Sequence, residues 1–448
     1  MTPAARIAGL VAVTALLAAC QTTGGRTTYE APLRKAGLET GAPETGKYAV
    51  ATASYASTEL PFSGPVVATD DSIAYGGIDY SVKDLSPGAR PPSNTDEAGL
   101  WMVMDRTERE TGTAGNLVGD PDLNAYVAEV ACRVAGEYCN DVRVYLIRRP
   151  AFNASMAPNG MMSVWTGLLL RVRNEAQLAT VLGHELGHYL RRHSLQRMRD
   201  IIAKTNGLIF FQIAVGAAGA SPIGDLAALG VLGSIQAYGR DHEREADGYG
   251  LLFLHRAGYD PREASKIWAQ LLRERDADPE KKSPSLFFAS HPPSEERRDV
   301  LAELGTTLQA QSGATKTGRD RFLAKVLPRR GDWLRDELNL RSFAATDVML
   351  DDLLVDDPSP AEIYFFKAEL RRLRNDEGDN KAALELYDKA LSAAGTPPAD
   401  IQRSRGGVLL RLGDNAAAAQ AFQAYLDAAP QAPDRLIIED MIRRLSVS

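Results

Sequence analysis

Residues 184–188 read His184-Glu185-Leu186-Gly187-His188, and this short run constrains the fold and the chemistry of the 448-residue chain more than any other stretch. Leu178, Val181 and Leu182 lead into it at helical spacing, and Leu186 and Tyr189 follow, so the run is expected on a helix. Two histidines four residues apart on a helix are separated by about 40° around its axis, so both imidazoles can reach one Zn²⁺. Glu185 sits beside them, where a carboxylate can take a proton from a water activated by the metal and pass it to a leaving amine. A bare H-E-x-x-H also occurs on solvated helix faces, so the remaining ligands must be sought elsewhere. The chain has six histidines, at 184, 188, 193, 242, 255 and 291, and three of them fall within ten residues here.

An extended H-E-x-x-H-x-x-G-x-x-H pattern would need a histidine at position 194, which is Ser194, so the metzincin class is excluded. His193 is nine residues from His184, which on an uninterrupted helix turns it about 180° away. It is expected either behind the ligands or on the surface. A carboxylate remains as third ligand, and the run Gly239-Arg240-Asp241-His242-Glu243-Arg244-Glu245-Ala246-Asp247-Gly248 supplies it. Glu243 and Asp247, at i and i+4, share one face, so Glu243 is read as the ligand and Asp247 as the group that orients a ligand histidine through its other ring nitrogen. Glu245 lies about 200° from Glu243 on a helix and is expected to be solvated.

Three motifs now stand in order: H-E-L-G-H, then E-R-E-A-D, then Ser290-His291-Pro292-Pro293-Ser294-Glu295-Glu296-Arg297. Together, over roughly residues 96 to 305, they resemble peptidase family M48, a group of gluzincins. The resemblance implies an α+β, mainly α, metallopeptidase domain with a small sheet and one Zn²⁺ per chain held by His184, His188 and Glu243. Glu185 would be the base, and Asp247 would stand behind a ligand. His291 would be able to occupy the open zinc position in a resting state, and Arg297 would shape the active-site wall; either is a candidate to hold the tetrahedral oxyanion. Expected substrates are unfolded or misassembled envelope proteins, with a role in protein quality control or outer-membrane protein assembly. The competing reading is a chaperone-like or scaffold lipoprotein with latent proteolysis.

Arg143–Ile147 and Met161–Thr166 read as strands separated by a turn-rich stretch, 153–160. In gluzincins an edge strand beside the metal pairs with extended substrate backbone, and Ser163 to Gly167 are the candidates for that edge.

Residues 1–19 contain Arg6, an apolar run from Ile7 and a closing Leu17-Ala18-Ala19-Cys20. That pattern predicts a signal peptide with a lipobox and lipidation at Cys20. Gln21 resembles the residue that follows the anchor in lipoproteins sorted to the outer membrane, with the inner membrane as the alternative. Cys132 and Cys139 are then an even pair in an oxidising compartment and are expected to form a disulfide. The net charge of −7, or −8 without Arg6, and the lack of a basic patch exclude nucleic acid as a partner. Gly207 to Gly224 is apolar and near the length of a membrane span. Its Gly, Ala, Ser and Pro222 dilute it, and residues 207–237 are read as buried or lid-forming helices over the site.

Gly378, Leu386, Tyr387 and Ala390 recur as Gly413, Ala421, Phe422 and Tyr425 at a shift of 35 residues. A weaker unit around Trp333, Leu334, Leu338, Phe343, Leu350, Leu353 and Pro358 precedes them. These units resemble tetratricopeptide repeats, which present a concave surface to a protein partner. The expected organisation is a signal peptide (1–19), a lipidated N-terminus and flexible tether (20–95), a metallopeptidase domain (96–305), a linker helix (306–330) and an all-α tetratricopeptide-like domain (331–448).

Overall fold

The computed structural model describes residues 82–205, 238–278, 287, 290–292 and 294–446. The expected signal peptide, Cys20, most of the tether and the apolar stretch 207–237 lie outside the described residues. Among those described, no helix is long and apolar enough to cross a membrane. The fold is mainly helical with one small sheet.

Helix α1 (Asp96–Gly112) is capped by Thr95, and α2 (Pro121–Ala135) by Asp120, whose side chain accepts from Leu123 N–H. A short 3₁₀ turn (Gly136–Asp141) leads into the sheet. Cys132 and Cys139, at the end of α2 and in that turn, form a disulfide. Residues 82–95 pack onto this region instead of trailing as a tether: Asp84 N–H donates to Leu190 O (3.0 Å) and Tyr138 Oη to Leu85 O (2.8 Å).

The sheet has strands β1 (Arg143–Ile147), β2 (Ala154–Met156) and β3 (Met161–Trp165) in the order β1-β3-β2, with β1 parallel and β2 antiparallel to β3. Strand β2 falls inside the stretch expected to be a turn, of which only Ala157 to Gly160 turns back, Gly160 at φ 93°. The substrate edge is therefore misplaced by the sequence reading. Both sides of β3 are occupied, and Gly167 is pressed against Pro150 and Ala151 carbonyls. The edge beside the helix Glu175–Leu190 belongs to β2, whose outer side pairs with no strand among the described residues. Trp165 N–H donates to Asn153 O and Ala157 N–H to Met161 O, so ladder alternation turns the N–H and C=O of Ala154 and Met156 outward.

After α3 (Thr166–Arg171), helix α4 (Glu175–Leu190) starts at Asn174, whose side chain accepts from Gln177 N–H, and all sixteen of its residues are buried. Helix α5 (His193–Thr205) follows, and α6 (Arg240–Arg256) packs on α4. Their contact is a seam of small residues. A Cβ on Gly250 would lie 2.9 Å from His184 N, and one on Gly187 would lie 3.0 Å from Tyr249 Cβ. This close approach lets ligands on two helices meet without long side chains.

Helices α7 (Glu263–Ala277), α8 (Glu295–Ser312), α9 (Arg319–Leu338) and α10 (Phe343–Leu354) continue the fold. The expected domain boundaries at 305/306 and 330/331 fall inside α8 and α9. One apolar core runs from Leu123 through Trp333 and Tyr387 to Val408. Arg171, itself buried, bridges Glu274 (2.7 Å) and Glu337 (2.8 Å), tying α3 to α7 and α9. The chain ends in α11 (Pro360–Arg374), α12 (Asp379–Ser392), α13 (Ile401–Arg411), α14 (Asn415–Ala428) and α15 (Arg435–Leu445). The 35-residue shift carries the bounds of α12 to within one residue of those of α14. Gly378 and Gly413 are both left-handed (φ 84° and 81°), and Tyr387 and Phe422 are both buried.

The seam predicts an asymmetric glycine response. Gly250→Ala should destabilise the protein by about 1–3 kcal/mol, because backbone has to move to admit the methyl group. Gly99→Ala, inside α1 where an added methyl group would meet nothing within 4 Å among the described residues, should be neutral or stabilising by up to ~1 kcal/mol. Guanidinium titration of both variants checks this.

Candidate metal centre

His184 and His188 project from adjacent turns of α4 with their Nε2 atoms 3.1 Å apart. Glu243, in the first turn of α6, and His291 complete a group of four buried donors that all lie within 4.8 Å of one another. The His291 ring stacks on Phe287 (centroids 4.8 Å apart), and its backbone N–H donates to Phe287 O at 2.7 Å.

The donor set fits zinc. Bonds of about 2.0–2.1 Å to a tetrahedral ion place ligand atoms about 3.3 Å from each other. Here His184 Nε2 to His291 Nδ1 is 3.2 Å, His291 Nδ1 to Glu243 Oε1 is 3.0 Å, and His188 Nε2 to Glu243 Oε1 is 3.4 Å. His184 Nε2 meets two other ring nitrogens at once, and a single proton can satisfy only one of those contacts. A cation satisfies all of them. Neutral imidazoles are also what a metal requires, and burial holds the His188 pKa well below its ordinary value. Glu243 stays ionised: burial opposes this, but the neighbouring His291 and Arg297 charges hold its pKa well below the usual carboxylate range.

Glu185 faces the sheet. Its Oε2 accepts from Met156 N–H at 3.2 Å, while the buried Oε1 has no hydrogen-bond partner among the described residues and lies 3.5 Å from His291 Nε2. Burial raises its pKa against the pull of His291 and His184, the direction suited to a general base working near neutrality. His291 is pushed the other way from what burial alone would do: the Glu243 and Glu185 carboxylates raise its pKa.

Asp247 Oδ1 lies 3.0 Å from His184 Nδ1, one turn along α6 from Glu243. Arg297 grips Asp247 with Nε (2.6 Å) and Nη2 (2.8 Å), reaches Glu243 Oε2 and Pro292 O through Nη1 (2.7 and 3.1 Å), and stacks over Trp268 at 4.2 Å. Its guanidinium therefore stands behind the carboxylates. The expectation that Arg297 could hold an oxyanion is not met by this geometry.

His193 takes one of its two expected places, behind a ligand, and only the reading of Glu245 as solvated needs correction. Helix α4 ends at Leu190, and Arg192 adopts φ 51°, so counting 100° per residue does not carry to His193. The chain turns back, and His193 Nδ1 lies 2.8 Å from His188 Nδ1. Glu245 is not solvated: it bonds His193 Nε2 and Arg191 Nε, both at 2.8 Å. Tyr238 was missed altogether. It stacks on the His188 ring (3.9 Å, 16°) and bonds Ser194 Oγ through its hydroxyl, and nothing in its sequence surroundings marks it.

A buried His-Glu-His helix pair closed by a glutamate on a neighbouring helix defines a zinc metallopeptidase domain. Residues 119–304 match Peptidase family M48, a family of zinc metallopeptidases. The chain is 30% identical to a putative beta-barrel assembly-enhancing protease of Vibrio cholerae over 193 residues, 40% of this chain and 39% of that protein. It is 30% identical to mitochondrial metalloendopeptidase OMA1 of Arabidopsis thaliana over 274 residues, 60% of this chain and 52% of that protein. It is 28% identical to the beta-barrel assembly-enhancing protease of Escherichia coli K12 over 242 residues, 51% and 48% of the two chains. The matches thus span about half the length of these relatives or less.

Asp247→Asn keeps size and burial but weakens the acceptor facing His184. Zinc affinity, measured by competition with a chromogenic chelator, should fall by about 10- to 100-fold.

Proposed function

We propose that the protein is a zinc metalloendopeptidase of the bacterial envelope, anchored through a lipid on Cys20, that cuts unfolded or misassembled outer-membrane proteins. The observation that carries the peptidase reading is the position of Glu185, between a four-donor cluster and the outer edge of β2. A zinc ion held by His184, His188 and Glu243 would supply Lewis acidity for a peptide carbonyl and for water. Glu185 takes the proton of the attacking water through its Oε1 and returns it to the leaving amine. Strand β2 offers the outward C=O and N–H groups of Ala154 and the C=O of Met156 to an extended substrate, which reads main chain more than side chains.

His291 regulates this chemistry. Four protein ligands leave no open position on a tetrahedral ion, and catalysis needs one, so the His291 ring swings out before substrate enters. The C-terminal hairpins α11 to α14 are tetratricopeptide-like and select substrates or dock the protease on a partner. The names of the Vibrio and Escherichia relatives support the envelope assignment. A second reading, a chaperone-like scaffold with latent proteolysis, draws on the same filled position at His291.

Casein or an unfolded barrel protein, incubated with zinc-loaded protein, separates the readings. Glu185→Gln should keep one zinc per chain and lose about 10²–10⁴-fold in cleavage rate; His291→Ala should keep zinc and cleave faster than wild type. Equal cleavage by wild type and Glu185→Gln contradicts the peptidase assignment, and zinc loss in His291→Ala contradicts a regulatory role.

A further inference from the structure

Behind the donor cluster a line of polar groups runs away from His188. The His188 ring turns Nε2 toward the other donors and Nδ1 toward His193 Nδ1, 2.8 Å away. The opposite nitrogen of His193, Nε2, lies 2.8 Å from Glu245 Oε2, and Glu245 Oε1 accepts from Arg191 Nε at 2.8 Å. Both rings are held by stacking, His188 on Tyr238 and His193 on His242. Both are buried.

Hydrogen-bond polarity along this line has one solution for neutral rings. The Glu245 carboxylate, paired with Arg191, can only accept. His193 therefore carries its proton on Nε2 and leaves Nδ1 bare. His188 must then donate from Nδ1, which leaves its Nε2 lone pair directed at the other metal donors. The opposite polarity would set a bare His193 Nε2 against a carboxylate at 2.8 Å.

We propose that Arg191, Glu245 and His193 form a positioning relay that fixes His188 as the Nδ1–H tautomer and so presents its Nε2 to the metal. The relay rests on the zinc reading above and deepens it. The two ligand histidines are oriented by different means: His184 faces a carboxylate directly, whereas His188 reaches one through an intervening imidazole. Outer groups of this kind raise ligand basicity as well as fixing the ring.

Two substitutions at His193 separate a polarity role from a space-filling one. In His193→Gln the amide oxygen can accept from His188 and the amide nitrogen can donate to Glu245, preserving polarity in a smaller side chain. In His193→Phe the ring volume and the stack on His242 survive, but both hydrogen bonds vanish. Using the full chain and chelator competition, zinc affinity should stay within about threefold of wild type for Gln and fall by about 10- to 100-fold for Phe. The reverse order, or equal effects, overturns the relay. Independently of any variant or metal, ¹⁵N spectra of histidine-labelled, metal-free wild type should report a proton on His188 Nδ1 and on His193 Nε2; a proton on His188 Nε2 overturns it. Failure of the wild type to bind zinc would sink the metallopeptidase reading while leaving this tautomer measurement decisive for the relay.

Discussion

The close approach of α4 and α6 at Gly183, Gly187 and Gly250 is the contact on which the rest of the structure depends. Without side chains in the seam, His184 and His188 on one helix and Glu243 and Asp247 on the other face each other at ligand distance. Full burial of α4 is the other half of this arrangement. A helix that is enclosed on every side cannot shift to relieve a misfit, so the ligand geometry is imposed by packing. The Asn174 cap, the strap of residues 82–95 and the core beyond α9 all serve to enclose it.

Electrostatics explains why such a buried site can persist. Glu243, Asp247 and Arg297 are each almost fully buried, and removing each ion from water costs several kcal/mol. Mutual pairing offsets part of that penalty: Arg297 bridges both carboxylates. The three charges still sum to −1, with three imidazole nitrogens converging on the same point. Binding free energies of about 10–16 kcal/mol are typical of structural zinc sites, a scale sufficient to offset the remainder. The ionic shell is thus better explained as a metal cradle than as a source of stability by itself.

Much of the site was legible because its members obey short periodicities. His184, His188, Glu243 and Asp247 are i, i+4 pairs on uninterrupted helices. His291 and Arg297 have no such period and were reachable only through resemblance to a family. Glu245 is not solvated because His193 and Arg191 meet it where the left-handed Arg192 turns the chain back after α4, a tertiary contact that counting along α6 does not see. Strand β2 was hidden in a run of Asn, Ala and Ser, since three residues held by a ladder to β3 leave no propensity signal. The expected boundaries at 305/306 and 330/331 fall within α8 and α9. The Arg171 bridge that joins these parts is a contact between residues more than a hundred positions apart.

The central claim is that His184, His188, Glu243 and His291 converge on one zinc ion. X-ray absorption at the zinc edge of the zinc-loaded full chain measures this directly. The account predicts one zinc per chain, a first shell of nitrogen and oxygen at about 2.0–2.1 Å, and outer-shell scattering from three imidazoles, falling to two in His291→Ala. Sulfur in the first shell, a six-oxygen shell, or an unchanged imidazole count in that variant would contradict it.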